Sequence, residues 1–129
     1  MYKFSNKSLS KLNNKKFHPI LRTLLTKAIE TTPIDFTIIE TARTKEQQVI
    51  NFKNGTSKTM RSRHLPEVNK SGYAEAVDIA PYPVNWADIK RFKELSAHIK
   101  KTADLMNIKI EWGGDWKTFK DYPHWQLKA

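Results

Sequence analysis

The chain contains four histidines and no cysteine. A transition-metal site must therefore draw on imidazole, carboxylate or backbone oxygen, and a thiolate is excluded both as ligand and as nucleophile. Two of the histidines stand in polar or turn-rich company. His64 lies in Ser62-Arg63-His64-Leu65-Pro66, and His124 follows Asp121-Tyr122-Pro123. His18 precedes a helical segment and His98 flanks another, so both read as solvent-facing or structural. Asp78 sits at the centre of Ala76-Val77-Asp78-Ile79-Ala80. Alternation along a strand puts it on the face of Ala76 and Ala80, opposite Val77 and Ile79. An ionised carboxylate there is costly unless it is paired or metal-bound. A salt bridge to one of the many lysines and arginines is the plain alternative. Two imidazoles and one carboxylate make an open set suited to Zn2+, with a fourth position left for water or substrate. The same set also accepts other divalent ions.

These residues are far apart in sequence, so the elements between them must bring them together. Ser8 can open a short helix ending near Asn13-Asn14. A stronger helix follows Pro19, well placed for a first turn, with Ile20, Leu21, Leu24, Leu25, Ala28 and Ile29 on one face until Pro33. Phe36–Ile39 reads as a strand. Thr44 with Gln47 forms a capping box for a helix over 45–53, which Asn54-Gly55 ends. Residues 55–75 read as a long loop of the kind that is functional or disordered. Ala76–Ala80 is a strand stopped by Pro81 and Pro83. Asn85 followed by Asp88 can cap a further helix, with Ile89, Phe92, Leu95, Ile99 and Met106 along its buried stripe. Strands over 108–112 and 124–127 close the chain. The expected fold is a single α+β domain spanning residues 1–129, with N-terminal helices packed on a short, mainly antiparallel sheet and no separate wall-binding module.

At 129 residues the chain suffices for one core. No run of apolar residues is long enough to span a membrane. The basic start, MYKFSNKSLSKLNNKK, lacks the apolar segment of a secretory signal. The net charge of +10 favours an anionic partner: nucleic acid, lipid or an acidic wall polymer. A solvated, solubilising face explains it equally well, and no nucleic-acid-binding motif is present.

Four ordered segments carry a resemblance: Ser62-x-His64; Ala76-Val77-Asp78-Ile79-Ala80-Pro81-Tyr82; Trp112-Gly113-Gly114-Asp115-Trp116; and Asp121-Tyr122-Pro123-His124-Trp125. Together, from about Lys7 to Leu127, they resemble the D-alanyl-D-alanine carboxypeptidase superfamily of zinc peptidases. The likeness is closest to its phage endolysin branch, the L-alanyl-D-glutamate endopeptidases. The resemblance implies His64, Asp78 and His124 as zinc ligands and Asp121 as the catalytic carboxylate; read alone, Asp121 is a turn residue. It implies Arg43 as the group that holds substrate and stabilises an oxyanion, the structural alternative being an ion pair with Glu46 or Asp78. Ser62, Asp115 and Trp112 are expected around the site, in substrate binding or behind a ligand, and one or two of the aromatic residues near His124 should wall the cleft. One departure stands out. Thirteen residues separate His64 from Asp78 where the family has few, so 66–73 reads as an inserted loop, and Glu67 and Glu75 within or beside it are alternative ligands.

The implied activity is hydrolysis of the L-alanyl-D-glutamate bond in the peptidoglycan stem peptide, causing wall lysis. The enzyme would be a monomer made in the host cytoplasm and released onto the wall, its basic surface holding it to the anionic envelope. A D-alanyl-D-alanine carboxypeptidase or dipeptidase is the alternative enzyme, and a basic nucleic-acid-binding protein the alternative from another class.

Overall fold

A computed structural model describes every residue except Lys58, Met60 and Ala129. Among the described residues, four α-helices surround a four-stranded sheet: α1 (Asn6–Leu12), α2 (Pro19–Thr31), β1 (Phe36–Glu40), α3 (Lys45–Lys53), β2 (Ala76–Pro81), α4 (Ile89–Leu105), β3 (Ile110–Trp112) and β4 (His124–Leu127). The strand order is β1-β2-β4-β3, and every neighbouring pair is antiparallel. The α+β expectation holds, although α4 falls late in the chain, between the two halves of the sheet.

Local signals set most helix ends. Pro19 occupies the first turn of α2, and the Ile20 amide donates to His18 Nδ1, so His18 is a helix cap. Thr44 caps α3 by accepting from the Gln47 amide, and Asp88 caps α4 by accepting from Arg91. The first helix departs from expectation. Ser5, not Ser8, is its cap, and Ser8 lies inside the first turn with its hydroxyl buried against Thr37 Oγ1 and the Ile38 amide. A serine hydroxyl serves equally as a cap or as a partner to an adjacent strand, and here β1 claims it.

Side-chain alternation divides the sheet into an apolar and a polar face. Val77 and Ile79 of β2, Trp112 of β3 and Trp125 of β4 pack with Leu21, Leu24 and Leu25 of α2 and with Phe92, Leu95 and Ile99 of α4. Each fully buried aliphatic side chain in such a core contributes about 1.5–3 kcal/mol. The other face carries Asp78, His124, Gln126 and Glu111: Asp78 pairs with His124 across β2 and β4, and Glu111 with Gln126 across β3 and β4. A bulge between Ile38 and Glu40 sets Glu40, rather than Ile39, opposite Asp78. Such a bulge re-aims one side chain without disturbing the rest of the strand.

Residues 63–75, leading into β2, are held by their own polar groups. Asn69 Nδ2 donates to the carbonyls of Arg63, Leu65 and Tyr73, and Arg63 pairs with Glu75 and donates to the Leu127 carbonyl. The stretch 66–73 thereby folds back on itself, leaving His64 and Asp78 free to approach one another.

A tight turn, Gly113–Asp115, follows β3. A Cβ at residue 113 would strike the carbonyl of Asp121, whose own amide donates to the Gly113 carbonyl. Gly113→Ala is therefore expected to displace the Asp121 turn and to destabilise the chain by about 1–3 kcal/mol, the usual range for overpacking. Urea unfolding of the variant against the parent measures this, and a difference below 0.5 kcal/mol (about the scatter of neutral substitutions) would refute the close approach.

Candidate metal centre and active site

His64 follows α3 and its connecting loop, Asp78 lies mid-strand in β2, and His124 opens β4. The structure brings all three together: one ligand atom from each lies within 4.8 Å of the other two. Asp78 Oδ1 is 3.3 Å from His64 Nε2 and 3.3 Å from His124 Nδ1. Ligand atoms on a tetrahedral ion with bonds of about 2.0–2.1 Å stand about 3.3–3.4 Å apart, so these two separations suit zinc.

The donor set also fits in its protonation. His64 Nδ1 lies 2.7 Å from the Thr41 carbonyl, which can only accept, so Nδ1 carries the proton and Nε2 presents a lone pair. Among the described residues, that buried Nε2 has no hydrogen-bond partner. An orphaned buried nitrogen is expensive, and one aimed at a carboxylate and a second imidazole is what a cation site requires.

Charge concentrates here. Burial works to raise the Asp78 pKa, but the two imidazoles that face it, His124 first, outweigh burial and hold the carboxyl well below the usual carboxylate range. Burial opposes a charged His124, yet the hydrogen bond and charge of Asp78, then Gln126 and Asp121, raise its pKa. Asp121 moves the other way from Asp78: burial first, then the Asp78 charge, push its pKa up against the attraction of His124, His64 and Arg43. Two carboxyls in one site thus have opposite tendencies, one held ionised and one made more basic.

A cleft of about 330 Å3 opens over these groups and is lined by Arg43, Ser62, Asp121 and Trp116 as well as the three candidate ligands. Arg43 forms its ion pair with Glu40, not with Glu46 or Asp78. Nε and Nη2 each donate to one Glu40 oxygen at 2.7 Å, and Nη1 donates to Gln48 and, at 3.3 Å, to Ser62 Oγ. The bulge in β1 explains the partner, because it turns Glu40 onto the polar face. Burial opposes the Arg43 charge, but Glu40 and then Asp78 and Asp121 more than offset it and raise its pKa. Of the five guanidinium N–H groups, the pairings leave one, on Nη2, uncommitted.

Two expected neighbours lie elsewhere. Asp115 pairs with Lys100 Nζ of α4 at 2.7 Å, away from the residues that line the cleft. Trp112 is one residue out of phase with Glu111, so it faces the core, stacking on Trp125 with ring centroids 5.8 Å apart and donating to the Tyr122 carbonyl. Trp116 instead walls the cleft, its ring 5.2 Å from that of His124. Neither glutamate of the loop region joins the three ligands: Glu75 is engaged by Arg63 and Ser71, and Glu67 lines a separate cavity beside Asn14 and Lys16. His98 Nε2 lies 3.0 Å from the Ala28 carbonyl, joining α4 to α2. Glu40, Gln48, Gln126 and Glu111 went unnoticed in the sequence, where each is one ordinary polar residue of a strand or helix and only the pairing of elements reveals its partner.

The chain is similar to known proteins along nearly its whole length. The family model for phage L-alanyl-D-glutamate peptidases matches residues 1–127. The L-alanyl-D-glutamate peptidase of Escherichia phage T5 is 32% identical over 132 residues, covering 98% of this chain and 90% of that protein. That of Listeria phage A118 is 37% identical over 98 residues, covering 76% of this chain and 32% of that protein. The crystal structure of Serratia marcescens L-Ala D-Glu endopeptidase ChiX matches with a TM-score of 0.82 at 30% identity, over 98% of this chain and 90% of that one. With the match running through all four helices and all four strands, the chain belongs to the phage L-alanyl-D-glutamate peptidase family.

Proposed function

We propose that the protein is a zinc-dependent endopeptidase that hydrolyses the L-alanyl-D-glutamate bond of the peptidoglycan stem peptide and so lyses the bacterial wall. The observation that carries the metal reading is the convergence of His64 Nε2, Asp78 Oδ1 and His124 Nδ1, with the carboxylate oxygen 3.3 Å from both nitrogens. Family membership carries the choice of bond.

His64, Asp78 and His124 would hold the metal. A zinc ion there supplies Lewis acidity to the scissile carbonyl and to the attacking water. Asp121 takes the proton from that water and returns it to the departing glutamyl amine. Its raised pKa suits the exchange, because a carboxylate that is more basic is a better acceptor near neutral pH. Arg43, fixed by Glu40 and Gln48 and lining the cleft, would offer its remaining Nη2 N–H to the oxygen that becomes negative. Ser62 Oγ accepts from both Arg43 Nη1 and the His64 amide, tying the guanidinium to the main chain of a candidate ligand. Trp116 shields one side of the cleft. The excess of lysine and arginine, +10 overall, supports attraction to the anionic envelope once the protein leaves the host cytoplasm. No described helix is long and apolar enough to cross a membrane.

Digestion of purified peptidoglycan, followed by mass spectrometry, tests the activity: new N-terminal D-glutamate is expected, whereas release of free D-alanine would mark a carboxypeptidase instead. Asp121→Asn should lower kcat by about 10²–10⁴-fold, the usual range for a lost general base. Zinc content should stay at the parent's value; an active Asp121→Asn enzyme would remove Asp121 from the mechanism. His64→Ala should lose both bound zinc and wall lysis.

Acidity separates the metal-free from the metal-loaded protein. A raised folded pKa at His124 contributes stability that is complete below about pH 6.5, its unfolded value, and is lost as pH rises through the folded pKa. Asp121, also raised, acts in the same direction from about pH 3.9 upward. Asp78, lowered, contributes a constant amount over that range. The chelated protein should therefore melt at higher temperature at pH 6 than at pH 8, by calorimetry. The stabilisation given by added zinc should shrink over the same acidification, since protons compete for the imidazole.

A further inference from the structure

Beyond its three candidate ligands, the polar face carries a closed ring of side chains. His124 Nε2 lies 2.8 Å from Gln126 Oε1, Gln126 Nε2 donates to Glu111 Oε1 at 3.1 Å, and Trp116 Nε1 donates to Glu111 Oε2 at 3.2 Å. The Trp116 ring then leans against His124, completing the circuit. Gln126 and Glu111 are directly opposed across β3 and β4, and Gln126 is two residues from His124 on the same face.

The direction of each bond follows from what each group can do. A carboxylate only accepts, so Glu111 must receive the amide NH2 of Gln126. That orients the amide and leaves its oxygen facing His124. An amide oxygen also only accepts, so His124 Nε2 must carry a proton. The lone pair of the neutral ring is then forced onto Nδ1, the nitrogen 3.3 Å from Asp78.

We infer that Gln126 and Glu111 are positioning residues that fix the tautomer and ring orientation of His124, so that Nδ1 faces the metal. Neither touches the reacting atoms. His64 is held differently, by the Thr41 carbonyl, which no side-chain substitution removes. The two ligand histidines thus present opposite nitrogens, one fixed by the backbone and one by side chains. Partners of this kind commonly change metal affinity by about 10–100-fold when lost. The geometry also accounts for Glu111, a carboxylate close to the site that is neither a ligand nor a base: it is engaged by Gln126 and Trp116. The inference rests on the metal reading above.

Zinc affinity, measured by competition with a chromophoric chelator, and the ring N–H signals of the zinc-loaded protein, measured by nitrogen-correlated NMR, test it. In the parent protein zinc should bind, and the His124 Nε2–H proton should exchange slowly with water. Gln126→Leu, which removes the acceptor, should weaken zinc by about 10–100-fold and abolish the slow exchange. Gln126→Glu keeps an acceptor and should restore most of the affinity. Glu111→Gln, on an edge strand and not in contact with His124, should shift both readings in the same direction by a smaller factor, and it carries the test if Gln126→Leu fails to fold. Equal zinc affinity and an unchanged Nε2–H signal in the folded variants would overturn the inference. A parent protein that binds no zinc would overturn the metal reading instead.

Discussion

The antiparallel register between β2 and β4 sets Asp78 directly opposite His124 and, one step along, Val77 opposite Trp125. Because side chains alternate, a one-residue slip of β2 would carry the carboxylate into the apolar core, and one of β4 would carry the indole onto the polar face. The core therefore enforces the site. Trp125, buried against Trp112, holds the strand in the register that makes His124 available. Every other feature of the centre refers to this pairing: His64 arrives from outside the sheet to meet the two groups, Gln126 extends the polar row, and the bulge in β1 adds Glu40 to it.

Placing so many charges on one half-buried face is affordable because most of them are paired. Glu40 and Asp78, two carboxylates opposed across β1 and β2, would repel if left alone. Arg43 engages Glu40 with two bonds and also feels Asp78 and Asp121, so the face holds alternating charge. Gln48, fully buried, ties Arg43 to the far wall of the cleft through Ser57 and the Thr59 carbonyl. Buried polar networks of this kind are costly when incomplete, and completeness makes them rigid. Among the described residues, the buried side-chain nitrogen left without a hydrogen bond is His64 Nε2, where the three candidate ligand atoms converge.

Capping and helix periodicity were legible from the chain alone because they depend on residues three or four apart. Pro19 opening α2, Thr44 with Gln47 opening α3, and the stripe of Phe92, Leu95 and Ile99 on α4 all follow from local hydrogen bonds and the helical repeat. Ordered motifs singled out His64, Asp78, Asp121 and His124, and these converge on one cleft. What stayed hidden was every relation across strands. Ser8 as a partner of β1 rather than a cap, Glu40 as the mate of Arg43, Asp115 bound to α4 and Trp112 turned to the core are all decided by which element lies alongside.

The sequence by itself determined the chemical vocabulary of this protein: no thiolate, two well-placed imidazoles, a carboxylate centred in an apolar strand, and a strongly basic surface. The tertiary structure alone decided the grammar. Which nitrogen of each histidine faces inward, which carboxylate is held ionised and which becomes more basic depend on distances of about three ångströms between groups tens of residues apart. Such distances are set by strand register and by burial, and neither exists until the chain has closed its sheet.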